Sequence, residues 1–266
     1  MEDPAAAALA VNQAMLALGN EAFEAEGATF VRNRAAPLIR DANHVTNIRA
    51  STLEEIERLL TRAEQEYGGW CPHRRFDIDY RTPPQFEARL ALEGYQRSEA
   101  LVMLAEGELR GRAKPHDIRP ITDEAGWADF AALREMDWRA YTERLGRPYD
   151  EGEAEALAQM IESARSKAPA VQFWLAYVEG EPRAYMCSWG GMEGVGQVED
   201  LFTHPDFRHR GLATALVHHC AADCRAHGAG PVVIVADPTD TPKQMYAAMG
   251  FRPVAIKREY RKTVER

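Results

Sequence analysis

The stretch from Val198 to Ala213 constrains this chain most. Val198, Leu201 and Phe202 supply the apolar content of a strand, and Pro205 ends it. Leu212, Leu216, Cys220 and Cys224 then recur every four residues as one face of a helix. The join falls at Arg208, His209, Arg210 and Gly211. A turn tightening into a helix start points several backbone N–H groups one way and adds the positive end of the helix dipole, a combination that binds phosphate oxygens. Gly211 leaves room for that approach. A continuous apolar strand follows at Val232–Ala236.

The 266 residues are enough for one large domain or two modest ones, and 45% hydrophobic with 27% charged is the balance of a soluble globular protein. A net charge of -9 argues against a nucleic-acid or anionic-membrane partner, since both require a basic footprint, and is compatible with a cationic substrate such as an amine. Cys71, Cys187, Cys220 and Cys224 fit no zinc spacing, so the expectation is buried thiols and no metal. The start, Met1-Glu2-Asp3-Pro4, is acidic where a secretory signal is basic, and no apolar run reaches the length of a membrane span. These features predict a cytoplasmic protein.

In the first half, the Ala-rich residues 5 to 25 read as a helix carrying Leu9, Val11, Met15, Leu16, Leu18 and Phe23. Short extended pieces follow at Thr29 to Arg32, Pro37 to Arg40 and His44 to Ile48. A second helix starts at Ser51 or Thr52 as cap, with Glu54 and Glu55 in its first turn and a buried stripe of Leu53, Ile56, Leu59 and Leu60, and Gly68-Gly69 ends it. Phe76, Ile78 and Tyr80 alternate with Asp77 and Asp79 as a half-buried strand. Thr82-Pro83-Pro84 opens another helix with Phe86, Leu90 and Leu92 inside, and Ala100 to Leu104 is a further strand.

That order returns near the end of the chain. Thr82-Pro83-Pro84-Gln85-Phe86 leading to Gly94-Tyr95 parallels Thr241-Pro242-Lys243-Gln244-Met245 leading to Gly250-Phe251, each being strand, helix, Gly-aromatic, strand. The pattern reads as a degenerate internal repeat. Between Met1 and Arg110 no Gly-x-Gly or Gly-x-Ala follows a strand, and Glu87 or Leu90 stands where the second copy has Tyr246.

In the second half, Trp127, Phe130, Leu133, Trp138 and Tyr141 follow at helical spacing after Ile118 to Asp123, and a second helix covers roughly 151 to 166. Phe173 to Val178 and Arg183 to Trp189 read as strands joined by the turn Glu179-Gly180-Glu181-Pro182.

Arg208-x-x-Gly211-x-Ala213 resembles the Arg/Gln-x-x-Gly-x-Gly/Ala signature of the GCN5-related N-acetyltransferases (GNAT), and Tyr246-x-x-x-Gly250-Phe251 resembles that family's closing motif. The resemblance covers residues 117 to 260 firmly. It implies an α/β fold, a mixed central sheet flanked by helices, with a smaller degenerate GNAT-like half before it. The corresponding divisions are a structural domain at 1–110, a linker at 111–116 within a charged, Gly-containing segment, and a catalytic domain at 117–266. It also implies acetyl-CoA as co-substrate, held by Leu201, Phe202, Thr203, Arg208, His209, Arg210, Gly211, Leu212, Ala213, Thr214 and Thr239. Thr239 and Pro242 depart from the family's usual Asn and Ala, which alters one expected contact near the pantetheine arm.

The implied reaction is direct attack of an amine on the thioester. A free alkylamine has a pKa near about 10.4, so a base must take its proton. By family analogy this is Glu199, whose neighbour Asp200 faces the other side of a regular strand unless a bulge intervenes. A strand N–H near Leu201 to Thr203 is the natural oxyanion donor, and Tyr246 is the expected acid for the departing thiolate. Asp137, Trp138, Tyr141 and Tyr149, with Asp200, are candidates to touch the acceptor. The expected acceptor is a small-molecule amine and the protein a monomer or homodimer. The alternatives are acetylation of a protein lysine or N-terminus, and an acyl-CoA sensor without turnover.

Overall fold

The computed structural model describes residues 3–168 and 170–264. The first segment contains α1 (Pro4–Ala17), β1 (Glu21–Ala25), β2 (Ala28–Arg32), β3 (His44–Thr46), α2 (Leu53–Tyr67), β4 (His73–Ile78), α3 (Pro84–Leu92) and β5 (Gln96–Ala105). The second contains β6 (Asp117–Pro120), α4 (Glu124–Arg144), α5 (Glu151–Lys167), β7 (Val171–Val178), β8 (Glu181–Met192), β9 (Val195–Thr203), α6 (Leu212–Ala226), β10 (Val232–Ala236), α7 (Pro242–Met249) and β11 (Arg252–Thr263). Residues 106–116, between them, form neither helix nor strand.

The described strands make one mixed sheet in the order β1-β2-β3-β4-β11-β5-β10-β9-β8-β7-β6. Its parallel pairs are β3 with β4 and β9 with β10, each joined through a covering helix as a parallel connection requires. The closing strands are exchanged. β5 ends the first segment yet lies between β10 and β11, and β11 ends the second yet lies between β4 and β5. Neither segment therefore completes its own sheet edge, and backbone hydrogen bonds stitch the two together.

Helices cover both faces. α6 and α7 bury Leu216, Cys220, Tyr246 and Met249 against Val198, Val232 and Ile234. On the opposite face α4 packs Trp127, Phe130 and Leu133 onto Phe173, Leu175 and Tyr185. α1 lies on the seam, placing Ala8, Leu9 and Val11 on Val102 and Leu104 of β5 and on Val195 and Val233 of β9 and β10. Complete burial of a leucine such as Leu9 contributes about 1.5–3 kcal/mol, so α1 holds the segments together.

Several expectations for the first half are corrected. The opening helix stops at Ala17, where Asn20 turns its amide onto the carbonyls of Leu16 and Leu18, and Phe23 belongs to β1 instead. Pro37 to Arg40 is not a strand; it runs into a short 3-10 turn at Arg40–Ala42. Thr52 is the cap of α2, in a reciprocal box with Glu55, but Leu53 is 76% exposed and outside the buried stripe. Leu92 is likewise 83% exposed at the end of α3, beyond the turn that buries Phe86 and Leu90. β4 is buried at all six positions and ends before Tyr80. Its Phe76 and Ile78 enter the α2–α3 core, whereas Arg75 and Asp77 point to the α1 side into a paired ionic cluster.

Candidate active site

Strand β9 carries a bulge where the sequence left two readings open. Cys187 pairs with Glu199 and Tyr185 with Phe202, so Asp200 and Leu201 together oppose Met186. Asp200 adopts φ +63°, the left-handed turn of backbone that absorbs the extra residue. The bulge ends the alternation, and Glu199 and Asp200 line the same cavities instead of facing opposite ways.

The parallel pairing of β9 with β10 stops at Val198 and Ile234. Beyond it the strands part around a slot of about 170 Å³ lined by Glu199, Asp200, Leu201, Val235, Ala236 and Tyr246 among others. The slot shares Leu201, Asp240 and Pro242 with a cleft of about 780 Å³ at the start of α6. Of the residues expected to hold a cofactor, Leu201, Phe202, Thr203, Arg208, His209, Gly211, Leu212, Ala213 and Thr214 line this cleft.

The start of α6 is chemically open. Gly211 is its N-cap at φ +92°, and among the described residues no side chain accepts from the first N–H groups of the helix. Those orphan donors and the helix dipole are free to meet an anion. At the corresponding helix of the first segment, α2, the Glu55 carboxylate accepts from the N–H groups of Ser51 and Thr52 and Thr52 caps Glu55 in return. The first segment thus caps its helix start with its own side chains, where the second has none at its cap. The glycine at 196 also matters, because a Cβ there would stand 2.9 Å from the Cβ atoms of both Cys224 and Ala229, so its absence seats α6 close on β9.

Two expected cofactor residues lie outside the cleft lining. Arg210 stacks its guanidinium on the Phe207 ring at 4.7 Å. Thr239 folds back in the turn after β10, where its N–H and hydroxyl both donate to Asp237, at 2.7 and 2.6 Å. Pro242, which departs from the family pattern, lines the cleft, as do Phe207, Arg144, Asp240, Thr241 and Met245, which no cofactor motif marks in the sequence.

Helix α4 divides two cavities by its period. Asp137, Ala140 and Arg144 face the cleft at α6, while Arg134, Trp138, Tyr141 and Leu145 face a second cleft of about 600 Å³ on the side of the first segment. Asp137 is thereby separated from Trp138 and Tyr141, whose rings stack at 5.2 Å. Tyr149 lines neither cleft and instead carries the Arg139 guanidinium at 3.7 Å. The second cleft includes Ile39, Arg40, Asp41 and Arg75 from the first segment, and Glu259 and Arg261 from β11. Leu38 N–H donates to Gln159 at 2.9 Å, and Ile39 packs with Met160, fixing this wall against α5. No short-range sequence signal marks these residues, because β11 and β4 become neighbours only through the exchange of closing strands.

An inner chamber of about 90 Å³ lies between the two sides. It shares Ile39, Asp41, Arg134 and Met160 with the second cleft, and Glu199 and Asp200 with the slot. Arg134 pairs with Asp200 at 3.2 Å and donates to the Tyr185 hydroxyl at 2.8 Å, and that hydroxyl donates to Asp137 at 3.1 Å. Arg134 sits one helical turn before Trp138, a spacing the sequence displays, but nothing local shows that it reaches across to β9.

Burial, reinforced by the adjoining Asp200 carboxylate, pushes the Glu199 carboxyl up to about 7. Its one hydrogen-bond partner among the described side chains is the Gln197 amide, which donates to Oε2. A carboxyl titrating near neutrality is matched to taking and passing a proton at that pH. Tyr246 is 5% exposed, its ring edge-on to Phe251, and burial raises its pKa so that the phenol stays protonated and available as a donor. The four cysteines are buried, and Cys187, Cys220 and Cys224 have their thiol pKa values raised by burial. Among the described residues no group of three His, Cys, Asp or Glu side chains is placed to hold a metal ion, and no helix is long and apolar enough to cross a membrane.

A mixed sheet opened between two parallel strands, with an uncapped helix start at the mouth of the opening, is the arrangement of the GNAT fold. Residues 130–251 match the model of the acetyltransferase (GNAT) family. Solved structures share the architecture across nearly the whole chain. A GCN5-related N-acetyltransferase from Kribbella flavida superimposes with a TM-score of 0.68 at 13% identity, covering 96% of this chain and 95% of that one. A functionally unknown conserved protein from Staphylococcus epidermidis gives 0.69 at 15% identity, covering 91% and 93%. A tandem GNAT protein from the clavulanic acid biosynthesis pathway gives 0.57 at 12% identity, covering 79% and 70%. At these identities the likeness is one of fold. No curated protein matches the chain.

Proposed function

We propose that this protein transfers an acetyl group from acetyl-CoA to the primary amine of a small molecule by direct attack. The observation that carries the reading is the β9 bulge, which sets Glu199 and Asp200 at the junction between the slot from the α6 cleft and the chamber from the second cleft. Donor and acceptor would meet there from opposite sides. The residues present suit the donor. The uncapped N–H groups at the start of α6 and the Arg208 side chain would hold its pyrophosphate, and the gap between β9 and β10 would take the pantetheine arm. When bound, acetyl-CoA supplies an activated acyl group to the nucleophile.

Glu199 would take the amine proton, Tyr246 would give a proton to the departing sulfur, and the backbone near Leu201 would polarise the thioester carbonyl. Arg134 pairs with Asp200 beside Glu199, and the neighbouring Asp200 carboxylate adds to burial in raising the pKa of Glu199. Asp200 would in addition attract a cationic amine. On this reading residues 117–266 form the catalytic domain, and residues 1–110, joined through 111–116, form a structural half that walls the acceptor cleft. A cleft walled on both sides favours a small molecule over a protein segment, and Glu199 and Tyr246 lining one slot favour turnover over a sensor.

The test is to incubate the protein with acetyl-CoA and a pool of amines, amino acids, polyamines, aminoglycosides and peptides, and to look by mass spectrometry for the addition of an acetyl group. An acetylated small amine is the expected product. Acetylation of peptides alone would replace the small-molecule reading, and failure of acetyl-CoA to protect the fold against heat would remove the donor assignment.

A further inference from the structure

The second cleft carries a charge pattern that the reaction with an amine does not require. Its described lining contains five guanidinium groups, of Arg40, Arg75, Arg134, Arg147 and Arg261, against the four carboxylates of Asp41, Asp150, Glu153 and Glu259. The net charge of the lining is +1 in a chain whose net charge is -9. His73, also in the lining, adds nothing, since burial lowers its pKa to about 4.

The excess is localised on two of these arginines. Arg75 is satisfied by Asp77 at 2.7 Å, by Asp41 and by Glu259 at 3.2 Å. Arg134 and Arg147 have Asp200 and Glu153, each at 3.2 Å. Arg40 and Arg261 reach only Glu259, at 3.8 and 4.0 Å, beyond hydrogen-bond length, and that carboxylate already serves Arg75. Each guanidinium carries five N–H donors, and neither of these two makes a side-chain hydrogen bond among the described residues. The Trp138 indole N–H in the same wall is also without a partner.

The inner chamber has the opposite bias. Asp41, Glu199 and Asp200 outnumber Arg134 and Lys167 there. A ligand with a cationic end and an anionic end is therefore oriented by the site, ammonium inward to Glu199 and anion outward to Arg40 and Arg261. The net +1 suits one monoanionic group, a carboxylate, better than a phosphate dianion. The stacked rings of Trp138 and Tyr141 add an apolar surface to the lining of the second cleft.

We infer that the acceptor is an amino-carboxylate, an amino-acid-type molecule with an apolar body, whose carboxylate is bound by Arg40 and Arg261 while its amine is presented to Glu199. This rests on the acetyltransferase reading above and narrows its acceptor.

The experiment compares matched pairs in which the amine is the same and the carboxylate is present or absent: phenylalanine with phenethylamine, tryptophan with tryptamine, lysine with cadaverine. Acetyl transfer from acetyl-CoA is followed by release of the CoA thiol with the full chain, and again with Arg40→Gln and Arg261→Gln. The expected result is a kcat/KM at least on the order of tenfold higher for the carboxylate member of a pair, the loss of one charge-assisted bidentate contact being of that size. In either variant the KM of that member rises by a similar factor, and the KM of its decarboxylated partner does not change. Equal or better use of the decarboxylated amines by the unmodified protein overturns the inference and leaves the acetyltransferase reading intact. So does a preference that both variants retain, or no acetylation of any pair when acetyl-CoA still raises the melting temperature. The preference in the unmodified protein is decisive even where a variant folds poorly. Absence of acetyl-CoA protection overturns the acetyltransferase reading itself.

Discussion

Replacing Glu199 by glutamine should separate stability from chemistry. Glutamine keeps the shape of the protonated carboxyl but cannot ionise. The native carboxyl titrates at about 7 against an ordinary 4.5, chiefly because ionising it between two cavities strips it of water beside the Asp200 carboxylate. Between these values the native chain binds more protons than the unfolded chain, so this group's contribution is fully present below about pH 4.5 and is lost as pH rises through about 7. The shift corresponds to roughly 3 kcal/mol, discounted to about 2 kcal/mol because the group is only half-buried. At pH 8.5 Glu199→Gln should therefore melt higher than the unmodified protein by about 4–8 °C, and at pH 5 the two should nearly coincide. Acetyl transfer should fall on the order of a hundredfold above pH 7, and by progressively less at lower pH, where the native carboxyl is itself protonated. The assay is calorimetry of both proteins across pH 5 to 9, with thiol release measured in parallel. A stability difference that does not change with pH, or a variant less stable than the unmodified protein at pH 8.5, would refute the assignment of a strained carboxylate at this position.

Other consequences are equally measurable. In the unmodified protein the rate at limiting acceptor should rise with pH through about 7, as Glu199 loses its proton, and Glu199→Gln should lack that limb. Tyr246→Phe, which retains the buried ring, should lower kcat about ten- to a hundredfold and leave the melting temperature within a few degrees. Gly211→Ala must place an L side chain at φ +92°, a strain of about 1–2 kcal/mol, and should weaken acetyl-CoA in a thermal-shift titration. Asp77→Asn leaves Arg75 and Lys257 short of a buried partner at the seam, and should cost about 3 kcal/mol in denaturant unfolding.

The parts legible in the sequence were those written locally. The strand, turn and helix from Val198 to Ala213, the buried face of Leu212, Leu216, Cys220 and Cys224, and the matching Gly-aromatic stops at 94–95 and 250–251 are all set by residues within a few turns of one another. The bulge at Asp200 has no local signature because no residue type demands it; its left-handed conformation follows from pairing with Met186 on β8. β4 misled for a related reason. Asp77 and Asp79 alternate with apolar residues as a solvent-facing edge would, yet both are buried: Asp77 pairs with Arg75 and with Lys257 of β11, which arrives from the far end of the chain, and Asp79 pairs with Arg81. The same long-range exchange of strands builds the second cleft, so half of its wall has no signature in any short stretch of sequence.

The account rests on Glu199 and Asp200 lying where donor and acceptor meet, and a crystal structure with acetyl-CoA bound tests it most directly. The predicted result is a pyrophosphate on the N–H groups at the start of α6, the pantetheine arm between β9 and β10, and the thioester facing Glu199 and Tyr246. Acetyl-CoA bound elsewhere, or lying in the α6 cleft with its thioester turned away from both side chains, would contradict it.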